Sequence, residues 1–474
     1  MIKYDADRNG RETEIYAGSP LVVLGRTRAQ RDGWGYRVAL RTPAGEWPTL
    51  TIPAHLLAGD GRELREVLAR AGAILPQSRN GRQALAEYIG YASGGPILEI
   101  ATRPGWHGDS FVLPDRIIGP VGADEIQLDM GDKQHFLAQA GSMAGWQELA
   151  RHAEHNSRAA FVICAALAAP LLGLLSRSGF GVHLFGQSSR GKTTLLTLAG
   201  SVWGGGNDGF VRNWRVTSNG AEELLSDHND LLLPLDELTT VAPEIAAELY
   251  YLLANGHGKT RATREGEARA ATQSRALVLS SGENSAAQQI GLARGRVRLT
   301  GGLAVRMIDV PVEHAPGESF EDLAGFGSAG ELAEAISTLA RSHYGHAGPA
   351  FVQVIVGKRA QVIEAVERDI ALFVNHLTAP GDDPQVHRVA ARFGLIAAAG
   401  RSAVARGSGR PFRPQPWPWA GRGSSDPRHP AARSAALHPV QHRAAARPAR
   451  PPAPCCGRAP DPADHARPDQ RPAP

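Results

Sequence analysis

The stretch Gly186-Gln187-Ser188-Ser189-Arg190-Gly191-Lys192-Thr193 carries more chemistry than any other in this sequence. Glycines on either side of a four-residue spacer let the backbone turn until successive N–H groups converge on phosphate oxygens. Lys192 adds an ammonium group for the β- and γ-phosphates, and the Thr193 hydroxyl is a hard donor for Mg²⁺. The chain has only five lysines, so chance rarely puts one here. Gly181 to Phe185, just before, reads as a short apolar strand. Thr194-Leu195-Leu196-Thr197-Leu198-Ala199, just after, reads as a helix start, whose N-terminal partial charge also favours an anion. The predicted ligand is ATP with Mg²⁺.

A second half of such a site belongs on another strand end. Leu231-Leu232-Leu233-Pro234-Leu235-Asp236-Glu237 supplies an apolar run ending in two acids, 44 residues after Lys192. Asp236 would hold the metal through water and Glu237 would polarise the attacking water. The alternative is a buried strand ending in a solvated acidic turn. Pro234 cannot donate to a ladder, which predicts a bulge near the strand end. Ala276 to Leu279 leads into a further polar strand end, where Ser281, Glu283 and Asn284 could face the γ-phosphate as sensors or form a simple turn.

Gly301 to Pro311 reads as a strand with Arg306 inside an apolar run, where a charge needs a partner. That partner is either the γ-phosphate of a neighbouring subunit, making Arg306 an arginine finger, or Asp309 or Glu237. Between the acidic and polar strands lie a helix, Pro243 to Ala254, and a basic stretch with a Gly-containing turn. A β-hairpin there would present Lys259, Arg261, Arg264 and Arg269 to a phosphate backbone, or simply to water.

These motifs sit in an α/β chain with a predicted division into four parts. Residues 1–150 read as a mixed α+β domain with strands at Pro20 to Gly25 and Gly35 to Leu40 and helices at Arg62 to Ala71 and Gly81 to Tyr91. No chemistry is evident there, and His107 reads as an ordinary core or surface residue. Residues 151–315 alternate strand-like and helix-like runs, the pattern of a parallel sheet. Residues 316–400 read as helical, with Gly330 to His343, Lys358 to Leu377 and Pro384 to Gly400 as the elements.

Residues 401–474 break the composition, with 16 prolines, 13 arginines, and no Ile, Met or Tyr. Such a tail cannot bury a core and is expected to be disordered. It reads either as a basic arm for nucleic acid or as a reading-frame error in a GC-rich gene.

The net charge of +4 conceals an asymmetry. Of the 51 basic and 47 acidic residues, 13 and 4 lie in residues 401–474, which leaves residues 1–400 at −5. Any nucleic-acid contact in the body therefore needs a local patch. Three cysteines with no zinc or disulfide spacing, and a polar start at Met1 to Asp5, predict a reducing, cytoplasmic setting. Ala159 to Leu175 is apolar but short and interrupted by Pro170, which predicts a buried helix and no membrane span.

Several ordered blocks resemble one family. They are Arg103-Pro104-Gly105-Trp106-His107, Pro170-Leu171-Leu172, Gly186 to Thr193, Ser201-Val202-Trp203-Gly204 and Thr217-Ser218-Asn219-Gly220. They continue with Asn229-Asp230, Leu235-Asp236-Glu237-Leu238, Ala254 to Lys259, Ser280 to Glu283 and Val305 to Asp309. Over roughly residues 20–400 the chain resembles the domain-of-unknown-function 927 family of phage and integrative-element proteins. That resemblance implies a helicase-like P-loop ATPase of mobile-element DNA replication or transfer, similar in layout to hexameric superfamily 3 and phage D5-type helicases. It implies single-stranded DNA and further copies of the chain, six in a ring, as partners. In such rings an insertion where the basic hairpin lies points into the central pore. The sequence departs from the family pattern at Pro234 and in lacking a Trp near Ser274.

Two readings compete: an ATP-driven DNA motor, and a nucleotide-gated binding or assembly protein that does not translocate. A small-molecule kinase fits least well, because it needs neither the acidic strand end nor a later arginine.

Overall fold

The computed structural model describes residues 1–6, 12–29, 33–92, 94–120, 126–130, 135–189, 191–205, 209–256, 261–262, 268–269, 274–292, 305–313 and 319–405. Arg190, Lys259, Arg264 and the tail from 406 onward, with the reading-frame question attached to it, lie outside the described residues.

An antiparallel ribbon, β1 (Ile2–Ala6) and β2 (Glu12–Tyr16), opens the chain. β3 (Leu21–Ala29), β4 (Gly33–Leu40) and β5 (Thr49–Pro53) form a meander. Two helices follow, α1 (Arg62–Arg70) and α2 (Arg79–Gly90), the latter capped by the Ser78 hydroxyl. Leu64, Leu68, Leu85 and Ile89 of these helices bury Tyr36, Val38, Leu40 and Ile52 of the sheet. β6 (Ile97–Ala101) joins β3 in parallel. β7 (Gly105–His107), β8 (Ser110–Val112) and β9 (Ile117–Ile118) make a small sheet of their own. β10 (Ile126–Leu128) completes the first sheet, in the order β10-β6-β3-β4-β5.

After α3 (Met143–Arg151) comes α4 (Ser157–Leu174), apolar on all sides; every residue but Arg158 and Gly173 is buried. A helix apolar all round belongs inside, and α4 packs among other helices and the second sheet. It is long and apolar enough to cross a membrane by composition, and its burial marks it as a core helix. Pro170 removes the N–H that Ala166 O would accept from. The indole N–H of Trp203 donates to Ala166 O at 2.8 Å in its place.

The second sheet carries the chemistry-bearing residues. Its elements are β11 (Phe180–Phe185), α5 (Lys192–Gly200), β12 (Arg212–Asn213), α6 (Ser218–Asp227) and β13 (Leu232–Asp236). They continue with α7 (Pro243–Asn255), the short pair β14 (Arg261–Ala262) and β15 (Ala268–Arg269), β16 (Leu277–Gly282), α8 (Ala286–Gly291) and β17 (Met307–Pro311). The strand order is β12-β13-β16-β11-β17, all parallel, so α/β alternation gives the architecture expected of it.

Pro234 needs no bulge, contrary to expectation. It sits in unbroken register with Leu279. Leu231 O accepts from Leu277 on the β16 side, while Asp236 O accepts from Trp214 on the other. Alternation places the missing Pro234 N–H on that second side, where β12 begins only level with Leu235.

Four helices close the chain: α9 (Ala329–Ser342), α10 (Ala347–Gly357), α11 (Arg359–Leu377) and α12 (Pro384–Ala405). α10 has no counterpart in the sequence reading; its Pro349 falls in the first turn, where proline is tolerated. α12 runs five residues beyond Gly400. Arg401 pairs with Asp369 at 2.9 Å and Ser402 is buried, so these residues belong to the helical packing.

Candidate nucleotide site

The loop after β11 turns through positive φ at Ser189 and Gly191 and delivers α5 without a side-chain N-cap. The Cβ-free Gly191 makes the left-handed turn cheap, and the first N–H groups of α5 point out of the helix end toward any anion set there. Lys192 is 7% exposed, and its ammonium donates to Gly186 O at 2.8 Å and Gln187 O at 2.7 Å. The positive charge is thus held inside the loop by the loop's own carbonyls.

Four expected residues meet beside it. Thr193 Oγ1 donates to Asp236 Oδ2 at 3.0 Å, and Ser281 Oγ bonds Asp236 Oδ1. The Glu237 N–H donates to Ser281 Oγ at 3.2 Å. β16 lies between the loop-bearing β11 and the acid-bearing β13, which is why its polar end reaches both. Glu237 itself adopts φ 63, ψ 64, a left-handed conformation costing a non-glycine residue about 1–2 kcal/mol. Thr239 Oγ1 fixes its carboxylate. One carboxylate and one hydroxyl, both hard oxygen donors, suit Mg²⁺ that keeps waters and binds phosphate. Among the described residues no group of three or more His, Cys, Asp or Glu offers a denser metal site.

Alternation along β16 turns Ser280 the other way, toward a fully buried histidine. His183 Nε2 lies 3.0 Å from Asn284 O, which only accepts, so Nε2 carries the proton. Nδ1 then accepts from Ser280 Oγ at 2.7 Å, and Ser280 Oγ accepts from Trp214 Nε1 at 2.9 Å. Burial pushes the imidazole down to about 4, keeping it neutral. On the adjoining β17, burial pushes the Asp309 carboxyl up to about 6, against N–H donation from Ala286 and Ala287 at the start of α8. The sequence reading missed this layer, whose only signal was a lone His in an apolar strand.

Other expected residues lie elsewhere. Glu283 is exposed, and the Asn284 side-chain amide donates to Gln289 at 3.3 Å. Arg306 is not inside a strand. It precedes β17, is exposed, and so stands at the sheet edge opposite the Lys192 loop. Its charge, with that of Arg388, adds to burial in lowering Arg392 to about 10. The basic hairpin has its two strands, Arg261 opposite Arg269, in the expected place.

Residues 1–273, more than half of the chain, match the family model of the domain of unknown function 927. The chain belongs to the DUF927 family. Its fold is similar to a solved structure titled "SCCmec type IV Cch - active helicase", with a TM-score of 0.60 and 16% sequence identity. That likeness covers 85% of this chain and 72% of the other. No curated protein matches.

Several of the blocks that mark DUF927 in this sequence meet at the far end of the same strands. Asp230, fully buried at φ 58, precedes β13, and Arg275 precedes β16. Arg275 Nε donates to Asp230 Oδ1 at 2.8 Å and Nη2 to Oδ2 at 3.1 Å. The Trp106 N–H donates to Asp230 Oδ2 at 3.0 Å, and Asn229 Nδ2 donates to the same oxygen at 2.9 Å. Asn229 Nδ2 also donates to Pro104 O, and Trp106 Nε1 to Pro170 O at 2.8 Å. Gly105, at φ 100, has no room for a Cβ against Asn229 and Asp230. The Arg103 to His107 block, Pro170, Asn229 and Asp230 thus form one clamp joining the small β7–β9 sheet to the parallel sheet.

Proposed function

We propose that this DUF927 protein binds ATP at Gly186, Gln187, Ser188, Ser189, Arg190, Gly191, Lys192, Thr193 and Thr194, and hydrolyses it to drive movement along single-stranded DNA. The observation that carries this reading is the 3.0 Å bond from Thr193 at the start of α5 to Asp236 at the end of β13, directly beside the Lys192 loop. It puts the hydroxyl and the carboxylate where one metal ion could engage both. Thr193 and Asp236 would hold Mg²⁺, which would supply positive charge to offset the negative charge developing on the phosphates. Lys192 would exchange its loop carbonyls for phosphate oxygens. Glu237 orients the attacking water and takes its proton. Ser281, bonded to both Asp236 and Glu237, fits a sensing role better than Glu283 or Asn284. Residues 151–315 form the ATPase core of this reading, with 1–150 and 316–400 as flanking domains. Lys259, Arg261, Arg264 and Arg269 contact the strand in this reading, and Arg306 serves a neighbouring copy in a ring. The fold likeness to a protein titled an active helicase supports a motor over a kinase.

The test is ATP turnover by purified protein with and without single-stranded DNA. Stimulation by the strand, lost in Lys192→Ala, is the expected result. Hydrolysis indifferent to DNA removes the motor and leaves a nucleotide-gated assembly protein. Absence of nucleotide uptake by calorimetry in magnesium buffer overturns the whole reading.

A further inference from the structure

Residues 20–41 hold five arginines, Arg26, Arg28, Arg31, Arg37 and Arg41, against one acid, Asp32. This run is net positive in a body that is net negative, with Glu99 on β6 standing level with Arg28. Arg37 faces one side of the first sheet, where it pairs with Asp129 at 3.2 Å. Arg26 and Arg28 face the other, because register sets them opposite Tyr36 and Trp34 on β4. The Arg26 guanidinium lies 5.4 Å from the centroid of the Trp34 ring and 5.7 Å from that of Tyr36. Tyr36 is buried, yet Trp34 is 46% exposed. Ile97, level with Arg26 on β6, is 53% exposed. Tyr91 is 81% exposed and follows Gly90, whose carbonyl accepts from Tyr36 Oη at 3.2 Å.

An exposed aromatic ring beside the Arg26 guanidinium, with Arg28 level with it on the neighbouring strand, is badly suited to a purely apolar partner. It suits a ligand with flat π-faces and a string of negative charges. Bases of a single strand offer those faces, whereas a duplex hides them in its stack. We propose that the β3–β4 hairpin is a second binding platform for single-stranded nucleic acid. Trp34 stacks on a base, and Arg26 and Arg28 contact the flanking phosphates. The platform belongs to a different sheet from the nucleotide site and from the β14–β15 pair, and it does not require ATP hydrolysis.

The test is anisotropy of a labelled oligothymidylate titrated with the full chain, without nucleotide, at two or more salt concentrations. Trp34→Ala is expected to weaken binding about tenfold. Arg26→Gln with Arg28→Gln is expected to lower the salt slope by roughly one to two. Trp47→Ala is the matched control: Trp47 is 48% exposed but lies beyond the opposite end of β4, and its loss should leave affinity unchanged. Equal effects of Trp34→Ala and Trp47→Ala overturn the proposal. So does equal competition by duplex, or a change in particle mass by light scattering in Trp34→Ala with strand affinity intact, which would make the patch a contact between copies. Because no nucleotide is present, failure of the ATPase reading leaves the outcome of this experiment untouched.

Discussion

At their C-terminal ends β13 and β16 present Asp236, Glu237 and Ser281; at their N-terminal ends they present Asp230 and Arg275. Both ends contain charges drawn close to hydroxyls or amides, but the accounts close differently. Asp230 takes four hydrogen bonds from within the chain, two of them from one guanidinium, and is wholly buried. Asp236 has two hydroxyls, both able to turn to something else, and its neighbour Glu237 is held in a left-handed conformation. A buried carboxylate fully satisfied by its own protein fixes a structure. Backbone at positive φ occurs at both ends, in Asp230 and Glu237, so the exchangeable partners are what mark a ligand site, kept at the expense of stability. The same sheet thus has an anchoring edge and a working edge about 15 Å apart, the length of a five-residue strand.

Substitutions at the two ends should therefore separate activity from stability. At the working edge, Glu237→Gln should lower the rate of ATP hydrolysis about 10²–10⁴-fold while leaving the urea midpoint unchanged. Glu237→Gly, by relieving the left-handed strain, should abolish turnover and stabilise the fold by up to about 1 kcal/mol. Loss of stability in either variant would blur the contrast. At the anchoring edge, Asp230→Ala leaves Arg275 partly buried and unpaired and should cost about 3–5 kcal/mol in equilibrium denaturation. Nucleotide affinity of the folded fraction should hold; a large fall in that affinity would mean the two edges are coupled.

The indole bond to the backbone of α4 offers a finer probe. Trp203→Phe strands Ala166 O and should cost about 1–3 kcal/mol. Adding Pro170→Ala supplies a backbone N–H to the same carbonyl, so the double variant should recover much of that loss in a denaturation cycle. Strict additivity would break this account.

The smallest expected effect is in pH dependence. His183 is depressed to about 4, so its contribution is complete above its unfolded value near 6.5 and declines as pH falls toward 4. Asp309 is raised to about 6, so its contribution is complete below its unfolded value near 3.8 and declines as pH rises through 6. The two oppose each other between pH 4 and 6. Asp309→Asn should therefore make stability fall more steeply on acidification, by on the order of 1 kcal/mol across the window, read from thermal midpoints. An unchanged slope would show that the two groups do not compensate.

Much of the working edge was legible because it is local. A strand, eight residues and a helix start specify the Lys192 loop, and an apolar run ending in acids specifies Asp236. Arg306 was misplaced because an apolar run looks the same whether it is a strand or the turn before one. Pro234 looked like a defect only because the sequence does not say how far β12 extends. Nothing in residues 101–107 announces that Trp106 will meet an aspartate 124 residues later.

The sequence alone determined the elements whose physics is confined to neighbours: the glycine-turned loop before Lys192, the buried apolar helix α4, and the strand–helix alternation that forces a parallel sheet. Tertiary structure alone decided which polar groups meet. It placed β16 between the two halves of the site, gave Ala166 an indole in place of a proline's missing N–H, and set Arg275 on Asp230. Backbone propensity and capping act over a few residues, whereas satisfying a buried charge depends on chain segments a hundred or more residues apart arriving at one point.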